Sequence, residues 1–344
     1  MGGRLCVFLS IAAVIGVGAA PARAGELSAG NPLRAYLSKA VVGSPVHYQG
    51  LWVFPVTLEG QPHYAPLTMD AARDRGWLHF RELDEPQVNT VIIINIGGQD
   101  IFLMGGEVIK GAQQDRIIQR SMLVPPGAVL TTTVFCVEPH RWTGGREFES
   151  AKQVAAPAVR SAAQGAPDQG AVWEAVGKVR EGIDSQYRGS SLLEAQSSAA
   201  AAERARGFLE QLRKTPLPDE TRGVLVFFGQ LPVAADLFAS PELFQALWPK
   251  LRDSYLMTVF GGKPSLKSPT SADAFLFLQA ARACTATAHD TPGAGRLFDL
   301  SGPMIGSALL FDYESPIRRP GVGGAVEVLV HAELFPRHAK GDSR

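Results

Sequence analysis

The sequence is poor in the residues that build the common metal sites. Its 344 residues include three cysteines and seven histidines, which form neither His-Glu-x-x-His nor paired Cys-x-x-Cys. Such spacings usually hold zinc, so we expect no bound metal and no cofactor. Gly-x-Ser-x-Gly is absent as well, which argues against a serine hydrolase with the usual nucleophile elbow.

Signals for nucleotide and nucleic-acid binding are also missing. Neither Gly-x-Gly-x-x-Gly nor Gly-x-x-x-x-Gly-Lys-Ser/Thr occurs around Gly105-Gly106, so the two common phosphate-loop folds are disfavoured. The 33 lysines and arginines are balanced by 33 acidic residues, and Arg318-Arg319 is an isolated basic pair. A nucleic-acid partner needs a clustered basic surface, so we expect none.

The N-terminus has the features of a secretory signal. Arg4 precedes an apolar run over residues 5–20, and Ala22-Arg23-Ala24 places small residues at the cleavage spacing. A membrane anchor is the alternative, but the run is short of ~20 strongly hydrophobic residues. We predict cleavage after Ala24 and a periplasmic or secreted protein. Removing the two arginines leaves 31 basic residues against 33 acidic ones, and no later apolar run is long enough to span a bilayer.

Two cysteines, Cys136 and Cys284, remain after that cleavage. An oxidising compartment would allow them to form a disulfide. A second interpretation is that each is a buried neutral thiol. A third makes Cys136 a nucleophile, which requires a base within reach. His140 is the nearest base in the sequence, but along a strand it would lie about 13 Å away at ~3.3 Å per residue.

The hydrophobic pattern predicts an α+β fold. Residues 25–142 form a β-rich part built of hairpins and sheet layers, because short β-branched runs alternate there with turn residues. Residues 143–222 combine a linker with helices, and residues 223–337 form an α+β part that packs with the first as one domain. The linker is assigned to residues 155–170, which are rich in small residues and should be exposed.

Individual elements follow from the same periodicities. The predicted strands are residues 51–58, 88–96, 101–104, 116–124, 129–137, 224–228, 304–312 and 325–335. The predicted helices are residues 168–183, 199–212, 241–259 and 271–283. The unbroken apolar run at residues 91–94 indicates a strand that is covered on both faces.

One segment dense in binding groups is Gly-Gly-Glu-Val-Ile-Lys-Gly-Ala-Gln-Gln-Asp-Arg at residues 105–116. Its glycine pair predicts a tight hairpin turn, since glycine readily adopts positive φ. The residues after the turn form either an exposed polar loop or a ligand site. In the second case Arg116 would hold a phosphate or carboxylate, while Gln113 and Gln114 donate amide hydrogen bonds.

A second segment is Cys-Val-Glu-Pro-His-Arg-Trp at residues 136–142. Glu138 either forms an ion pair with Arg141 or acts with Glu107 as a general acid and base, since carboxyl groups in different environments split their pKa values. Trp142 either stacks on a ligand or packs in the core. With Arg141, it would complete the ligand site of the preceding loop.

These segments resemble one family, the ARG-and-rhodanese-phosphatase-superfamily-associated domain, where ARG abbreviates ADP-ribosylglycohydrolase. The motifs that carry the resemblance are Gly-Glu at 106–107, Gly-Ala-x-Gln-x-Arg at 111–116, Leu-Val-Pro at 123–125, Cys-Val-Glu-x-x-Arg-Trp at 136–142, Val-Trp at 172–173, Asp-Leu-Phe at 236–238, Ser-Tyr at 254–255 and His-Ala-Glu-Leu-Phe at 331–335. The chain departs from the family pattern where Gln113 stands for a lysine and His140 for a glycine.

The resemblance implies no established activity, so three hypotheses follow. The first is a secreted accessory or binding domain for a small anionic ligand, which the family association suggests is ADP-ribose-like. The second is a hydrolase or transferase that uses Glu107 and Glu138. The third is a structural or partner-binding protein, whose protein partner the sequence does not identify.

Overall fold

The computed structural model describes residues 30–165, 168–184, 189–313 and 325–337. The predicted signal, residues 1–24, lies outside these ranges. In the described part of the chain no helix has the length and apolarity needed to cross a membrane. Strands dominate the first half, helices lie in the middle, and strands close the C-terminal part, which confirms the predicted α+β class.

The elements are numbered here in chain order. The helices are α1 (Leu33–Leu37), α2 (Met69–Asp74), α3 (Pro157–Gly165), α4 (Gln169–Ile183), α5 (Leu192–Gln196), α6 (Ala199–Lys214), α7 (Pro241–Phe260) and α8 (Ser271–Ala283). The strands are β1 (Ala40–Val42), β2 (Val46–Tyr48), β3 (Leu51–Leu58), β4 (Leu67–Thr68), β5 (Leu78–Arg81), β6 (Thr90–Asn95), β7 (Ile101–Leu103), β8 (Glu107–Gly111), β9 (Arg116–Ile118), β10 (Met122–Val124), β11 (Val129–Cys136), β12 (Glu147–Val154), β13 (Gly223–Phe228), β14 (Leu231–Phe238), β15 (Thr285–His289), β16 (Arg296–Ser301), β17 (Met304–Tyr313) and β18 (Val326–Pro336).

Local sequence explains where the long helices begin. Ser240 caps α7 by accepting a hydrogen bond from the Leu243 N–H, and proline follows at the first helical position, where its missing N–H costs nothing. Thr270 and Asp273 form a reciprocal capping box at the start of α8. The predicted positions of both helices are confirmed to within a residue or so.

A large antiparallel sheet joins the first and last parts of the chain. Its strand order is β1-β3-β13-β14-β18-β17-β16-β15, with β2 also on β3. Alternate residues of β13 enter different cores: Val224 and Val226 pack towards α7, whereas Leu225 and Phe227 pack towards α1 and α8. Helices therefore cover both faces of the sheet, which explains why β13 is continuously apolar.

The β-rich part forms a closed six-stranded barrel with the order β11-β6-β5-β12-β8-β9. Beside it lies a small sheet of β10, β7 and β4. The expectation that residues 91–94 are covered on both faces is wrong in detail. Val91 and Ile93 are buried in the barrel core, whereas Ile92 and Ile94 are only half-buried on its outer side.

The predicted hairpin at Gly105-Gly106 is also wrong. β7 pairs with β10 and β4, whereas β8 pairs with β12 and β9. The turn does use positive φ, with Gly106 at 89°, but it carries the chain from the small sheet into the barrel. The predicted strand at residues 116–124 is likewise divided into β9 and β10, one in each sheet.

The segment expected to be an exposed linker is largely a buried helix. α3 occupies Pro157–Gly165, and Val159, Arg160, Ala163 and Gln164 are buried on it. The small residues Ala155, Ala156 and Ala163 are buried where α3 lies against α7 and β17, so the composition that suggested a linker serves close packing instead. Strand β12, in the same part of the chain, was not predicted either.

Candidate functional site

Arg116 lies inside the barrel and not on a ligand-facing loop. Its guanidinium forms two hydrogen bonds with the Glu82 carboxylate, Nη2 to Oε1 at 2.7 Å and Nη1 to Oε2 at 3.1 Å. Nη1 also donates to the Thr90 carbonyl, and the group stacks over the Phe148 ring at 5.1 Å. Both members of the ion pair are 0% exposed. The guanidinium is thus engaged by protein groups, away from solvent.

Arg141 ties the two sequence motifs together. It pairs with Glu138 at 2.6 Å and with Asp115 at 3.1 Å, and it donates to the carbonyls of Ala112 and Thr143. Of the two interpretations of Glu138, the structure shows the ion pair with Arg141. Glu107 belongs to a different network, described below, so the structure does not bring Glu107 and Glu138 together as an acid–base pair.

The remaining loop residues lie around Arg141 and its two ion pairs. Gln113 is half-buried and reaches the carbonyls of Gly144 and Gly145, while the buried Gln114 amide donates to the Glu138 carbonyl at 3.3 Å. Trp142 is 47% exposed and so does not serve as a core aromatic. Arg116 is thereby separated from the other members of the predicted ligand set, and ligand binding by this loop stays a prediction.

Both cysteines are free and buried, and Cys284 belongs to the core that packs against α1 and α8. Cys136 ends β11 opposite Arg116, whereas Cys284 follows α8. Burial raises the pKa of each thiol, which favours the neutral form. The structure therefore shows the buried-thiol interpretation and no disulfide between Cys136 and Cys284.

A buried ion network occupies the centre of the molecule. Arg160 of α3 donates to both oxygens of Asp236 on β14 and to Glu333 on β18 at 2.9 Å. The hydroxyl of Tyr255 and the His331 imidazole also bond to Asp236. Burial alone would raise the pKa of Asp236, but Arg160 and His331 hold that pKa well below its usual range. This set of five residues is called the central network below.

The glycine pair of the first motif is explained by this network. A Cβ at Gly105 would lie 2.7 Å from a Glu333 carboxylate oxygen, and one at Gly106 would lie 2.5 Å from Cγ of Arg160. Only glycine leaves room for these side chains to approach the backbone. Several motifs that carry the family resemblance therefore meet at one place, although they are far apart in the sequence.

Two members of the central network, His331 and Asp236, form with Ser121 the hydrogen bonds of a catalytic triad. The Ser121 hydroxyl lies 2.8 Å from His331 Nδ1, and His331 Nε2 lies 3.1 Å from Asp236. Ser121 and His331 are each 1% exposed and Asp236 is 0% exposed. Ser121 also accepts a hydrogen bond from the Gly105 N–H, and Asp236 is neutralised by Arg160. Because all three side chains are closed to solvent, we assign the chain of hydrogen bonds to the fold.

A second charged centre lies on α7, where Lys250 precedes Tyr255 of the central network by five residues. The Lys250 ammonium bonds to Asp70 of α2 at 2.7 Å and to Glu107 of β8. Burial and the Asp70 charge together raise the pKa of Glu107 by more than Lys250 and the Met104 N–H lower it. Burial lowers the pKa of Lys250, but Glu107 and Asp70 outweigh it and raise that pKa overall. Lys250 is therefore ionised, and Glu107 takes up a proton more readily than an ordinary glutamate.

Lys250 lies at the floor of a pocket of ≈ 260 Å³, here called the Lys250 pocket. The end of β12, the junction between α5 and α6, and the middle of α7 form its walls. Its polar lining comprises Lys152, Gln153, Gln196, Ser197, Ser198, Lys250, Asp253 and Ser254. At this pocket, the buried centre of Lys250, Asp70 and Glu107 lies next to an opening to solvent.

The rim of the pocket contains backbone strain. Lys152 has φ 55°, in the left-handed region, within an irregularity of β12 between Ser150 and Val154. Its N–H donates to Ser150 Oγ, and that hydroxyl donates to Asp70, the partner of Lys250. Bulges of this kind often redirect side chains beside functional sites. A hydrogen-bonded path thus joins the rim to the buried centre.

Two amides in the pocket wall lack a hydrogen bond on their oxygen. Gln153 donates to Ser197 and Gln196 donates to the Val154 carbonyl, but the Oε1 atom of each is buried without a partner. An unpaired buried acceptor costs about 1–3 kcal/mol. A ligand donor, such as a hydroxyl, that reached either oxygen would relieve this cost.

Sequence reasoning named Glu107 as a catalytic candidate and quoted Asp236, Tyr255, His331 and Glu333 only within family motifs. It missed Asp70, Arg160 and Lys250, although a signal was present for Lys250. Lys250 occupies the apolar stripe of α7, three residues after Leu247. Asp236 and Glu333 lie within the buried, mainly apolar stretches of β14 and β18. A charge at a core position of a periodic segment indicates a buried ion pair, because an unpaired charge there is too costly. No group of three or more His, Cys, Asp or Glu side chains placed to hold a metal occurs in the described ranges.

The fold and site define an α+β protein with an ion network at its centre and a polar pocket at the edge of that core. The chain belongs to the family of the ARG and Rhodanese-Phosphatase-superfamily-associated Protein domain, which matches residues 39–319. The family resemblance noted in the sequence is thereby confirmed. Comparison with curated proteins and with solved structures gave no significant match.

Proposed function

We propose that the protein is a binding domain for a small anionic ligand that carries hydroxyl groups, and that the Lys250 pocket is its site. The observation that carries the proposal is the pair of unsatisfied amide oxygens, Gln153 and Gln196, in the wall of a pocket floored by Lys250. Polar groups that converge in a concave site are the usual mark of ligand recognition.

Two features of the rim, Lys152 and the start of α6, suit an anion, while Asp253, which also lines the pocket, pairs with Arg252. Lys152 is 62% exposed and is paired with Asp74 at the surface, an interaction that costs little to exchange for a ligand. Ser197 and Ser198 lie at the start of α6, a 16-residue helix whose N-terminus attracts negative charge. Hydroxyl groups of the ligand would face Gln153, Gln196 and the floor.

The size of the pocket limits the ligand. Drug-sized ligands occupy pockets of roughly 300–1,000 Å³, and the ≈ 260 Å³ here lies below that range. The pocket therefore suits one ribose phosphate unit better than a whole dinucleotide. The family name associates the domain with ADP-ribosylglycohydrolases, so the terminal ribose phosphate of ADP-ribose is the ligand fragment that we propose.

We also propose that the protein acts outside the cytoplasm after cleavage behind Ala24. The apolar run at residues 5–20 and the small residues at 22–24 support this location. Fractionation of producing cells, with N-terminal sequencing of the extracellular or periplasmic form, would test it. An uncleaved N-terminus in the cytoplasmic fraction would contradict it.

The ligand proposal is tested by thermal shift and calorimetry with ADP-ribose, ribose 5-phosphate and ribose. A ligand at ~100 times its dissociation constant should stabilise the fold by ~2.7 kcal/mol. Lys152→Ala should weaken binding at least about tenfold, since a hydrogen bond to a charged group contributes roughly 1.5–3 kcal/mol. Gln196→Leu should weaken it about fivefold, since a neutral hydrogen bond contributes about 1 kcal/mol.

Lys178→Ala is the matched control, because Lys178 is an exposed helical lysine paired with Glu174 and does not line the pocket. It should bind as the unmodified protein does. Equal loss in Lys178→Ala, or no stabilisation by any of the three compounds, would contradict the proposal.

A further inference from the structure

The floor of the Lys250 pocket, taken as the Lys250 side chain that lines it together with the two carboxylates behind that side chain, carries an uneven charge. One ammonium group, that of Lys250, faces two carboxylates, those of Asp70 and Glu107. With both carboxylates ionised, the floor has a net negative charge and would repel the anion that the pocket is proposed to bind. Taking up one proton makes the floor neutral and leaves Lys250 free to donate towards the ligand.

Glu107 is the carboxylate placed to take that proton. Its side chain is 0% exposed, whereas that of Asp70 is 22% exposed and is also supported by the Ser150 hydroxyl. An ionised carboxylate without solvent depends on its partners, which for Glu107 are Lys250 and the Met104 N–H. If Lys250 turned towards a ligand, Glu107 would lose its main counter-charge.

The other charged groups around Glu107 do not replace Lys250. Asp70 on α2 is negative, and β12 faces Glu107 with the apolar Val154. Arg160 of α3 packs on Gly106, but its guanidinium is already paired with Asp236 and Glu333. Burial raises the pKa of Glu107 and therefore also favours the uptake of a proton by this carboxylate.

We infer that anion binding in the Lys250 pocket is coupled to the uptake of one proton by Glu107. This inference rests on the proposed binding function and adds its regulation: the site binds anions more tightly as the pH falls. The proton is bound to a Glu107 carboxyl oxygen, and the ammonium group of Lys250 then donates to the ligand instead. No covalent bond to the ligand forms or breaks.

The pH dependence follows from the sign of the coupling. Binding raises the proton affinity of Glu107, so the dissociation constant increases with pH between the pKa values of the free and the bound protein. Within that window the increase approaches about tenfold per pH unit, the full effect of one proton. A neutral ligand leaves Lys250 with its carboxylates and should show no such slope.

Calorimetry of ADP-ribose binding in buffers of different ionisation enthalpy measures the protons taken up. ADP-ribose is a suitable probe because its diphosphate is a diester and does not titrate near pH ~6 as a phosphate monoester does. We expect uptake approaching one proton for the unmodified protein and none for Glu107→Gln. Glu149→Gln, an exposed glutamate of β12 paired with Lys110, is the control and should keep the uptake.

The outcomes separate the two proposals. ADP-ribose binding that is independent of pH and releases or takes up no proton would overturn the coupling and leave the binding function intact. No binding at any pH between about 5 and 8 would overturn both. If Glu107→Gln does not fold, difference infrared spectroscopy of the unmodified protein decides: a protonated-carboxyl band should appear on binding ADP-ribose and not ribose, and its absence would overturn the assignment to Glu107.

Discussion

At the scale of single residues, the buried ion pair of the barrel is held by partners that leave it no other role. Arg116 and Glu82 are both closed to solvent in the barrel and satisfy each other bidentately. Removing one member leaves the other charge buried without a partner or solvent, which typically costs about 3–5 kcal/mol. Replacing both with apolar residues removes the problem.

We therefore predict that Arg116→Met lowers the free energy of unfolding by about 3–5 kcal/mol and that Arg116→Met with Glu82→Met recovers most of the loss. Urea denaturation of the two variants provides the measurement. If Arg116→Met lowered the free energy of unfolding by less than about 1 kcal/mol, the pair would contribute no more than a surface ion pair does, which would contradict the buried arrangement.

His140 provides a second prediction at this scale. It has φ 75°, where a side chain costs roughly 1–2 kcal/mol and glycine costs little. His140→Gly should therefore be neutral or stabilise by up to about 1 kcal/mol, because the greater freedom of glycine when unfolded offsets part of the gain. The strained position also explains why glycine is the expected residue in the family pattern.

His63→Gly is the control, since His63 is an exposed loop residue outside the left-handed region. It should lose up to about 1 kcal/mol. Both variants are compared by thermal unfolding. Equal destabilisation of the two would show that the backbone at residue 140 carries no strain.

At the scale of elements, α3 holds the central network closed. Arg160 and Gln164 project from it to Asp236 and Glu333, so the helix is fixed by charge as well as by the packing of Val159 and Ala163. We predict that the amide hydrogens of α3 exchange as slowly as those of α7, because opening α3 exposes unpaired charges.

Hydrogen exchange followed by mass spectrometry measures this directly. α5, a five-residue helix with a single capped turn, is the internal comparison and should exchange faster. If peptides of α3 exchanged as quickly as those of α5, the segment would behave as the linker that its composition suggests.

The elements show which parts of the fold the sequence could predict. Regular apolar spacing located α7, α8 and β3 closely, because each buries one defined set of side chains. α3 and β12 were missed, since their contacts are charged or come from small residues that also occur in linkers. The Lys250 pocket draws on β12, α6 and α7, and no local pattern indicates that these three meet.

At the scale of the whole molecule, distant parts of the chain share one sheet. β3 pairs along its length with β13, and the main core takes residues from Val46 to Phe335. Although we predicted three parts from composition, we expect them to unfold together, because neither the first nor the last keeps a complete sheet without the other.

Denaturant unfolding followed by far-ultraviolet circular dichroism and by tryptophan fluorescence tests this expectation. The two transitions should coincide, and a fragment ending at residue 222 should not fold, because β3 then lacks β13. Separate transitions, or a cooperatively folded fragment, would establish independent domains.

The central claim is that the Lys250 pocket binds a small anionic ligand, and calorimetry of ADP-ribose with a pocket-filling variant tests it most directly. Ala205 lines the pocket, so Ala205→Phe should occupy the space without changing the charge. Ala200→Phe changes the same helix outside the lining. The account predicts that Ala205→Phe abolishes binding while Ala200→Phe retains it; unchanged binding in Ala205→Phe would place the ligand elsewhere and contradict the claim.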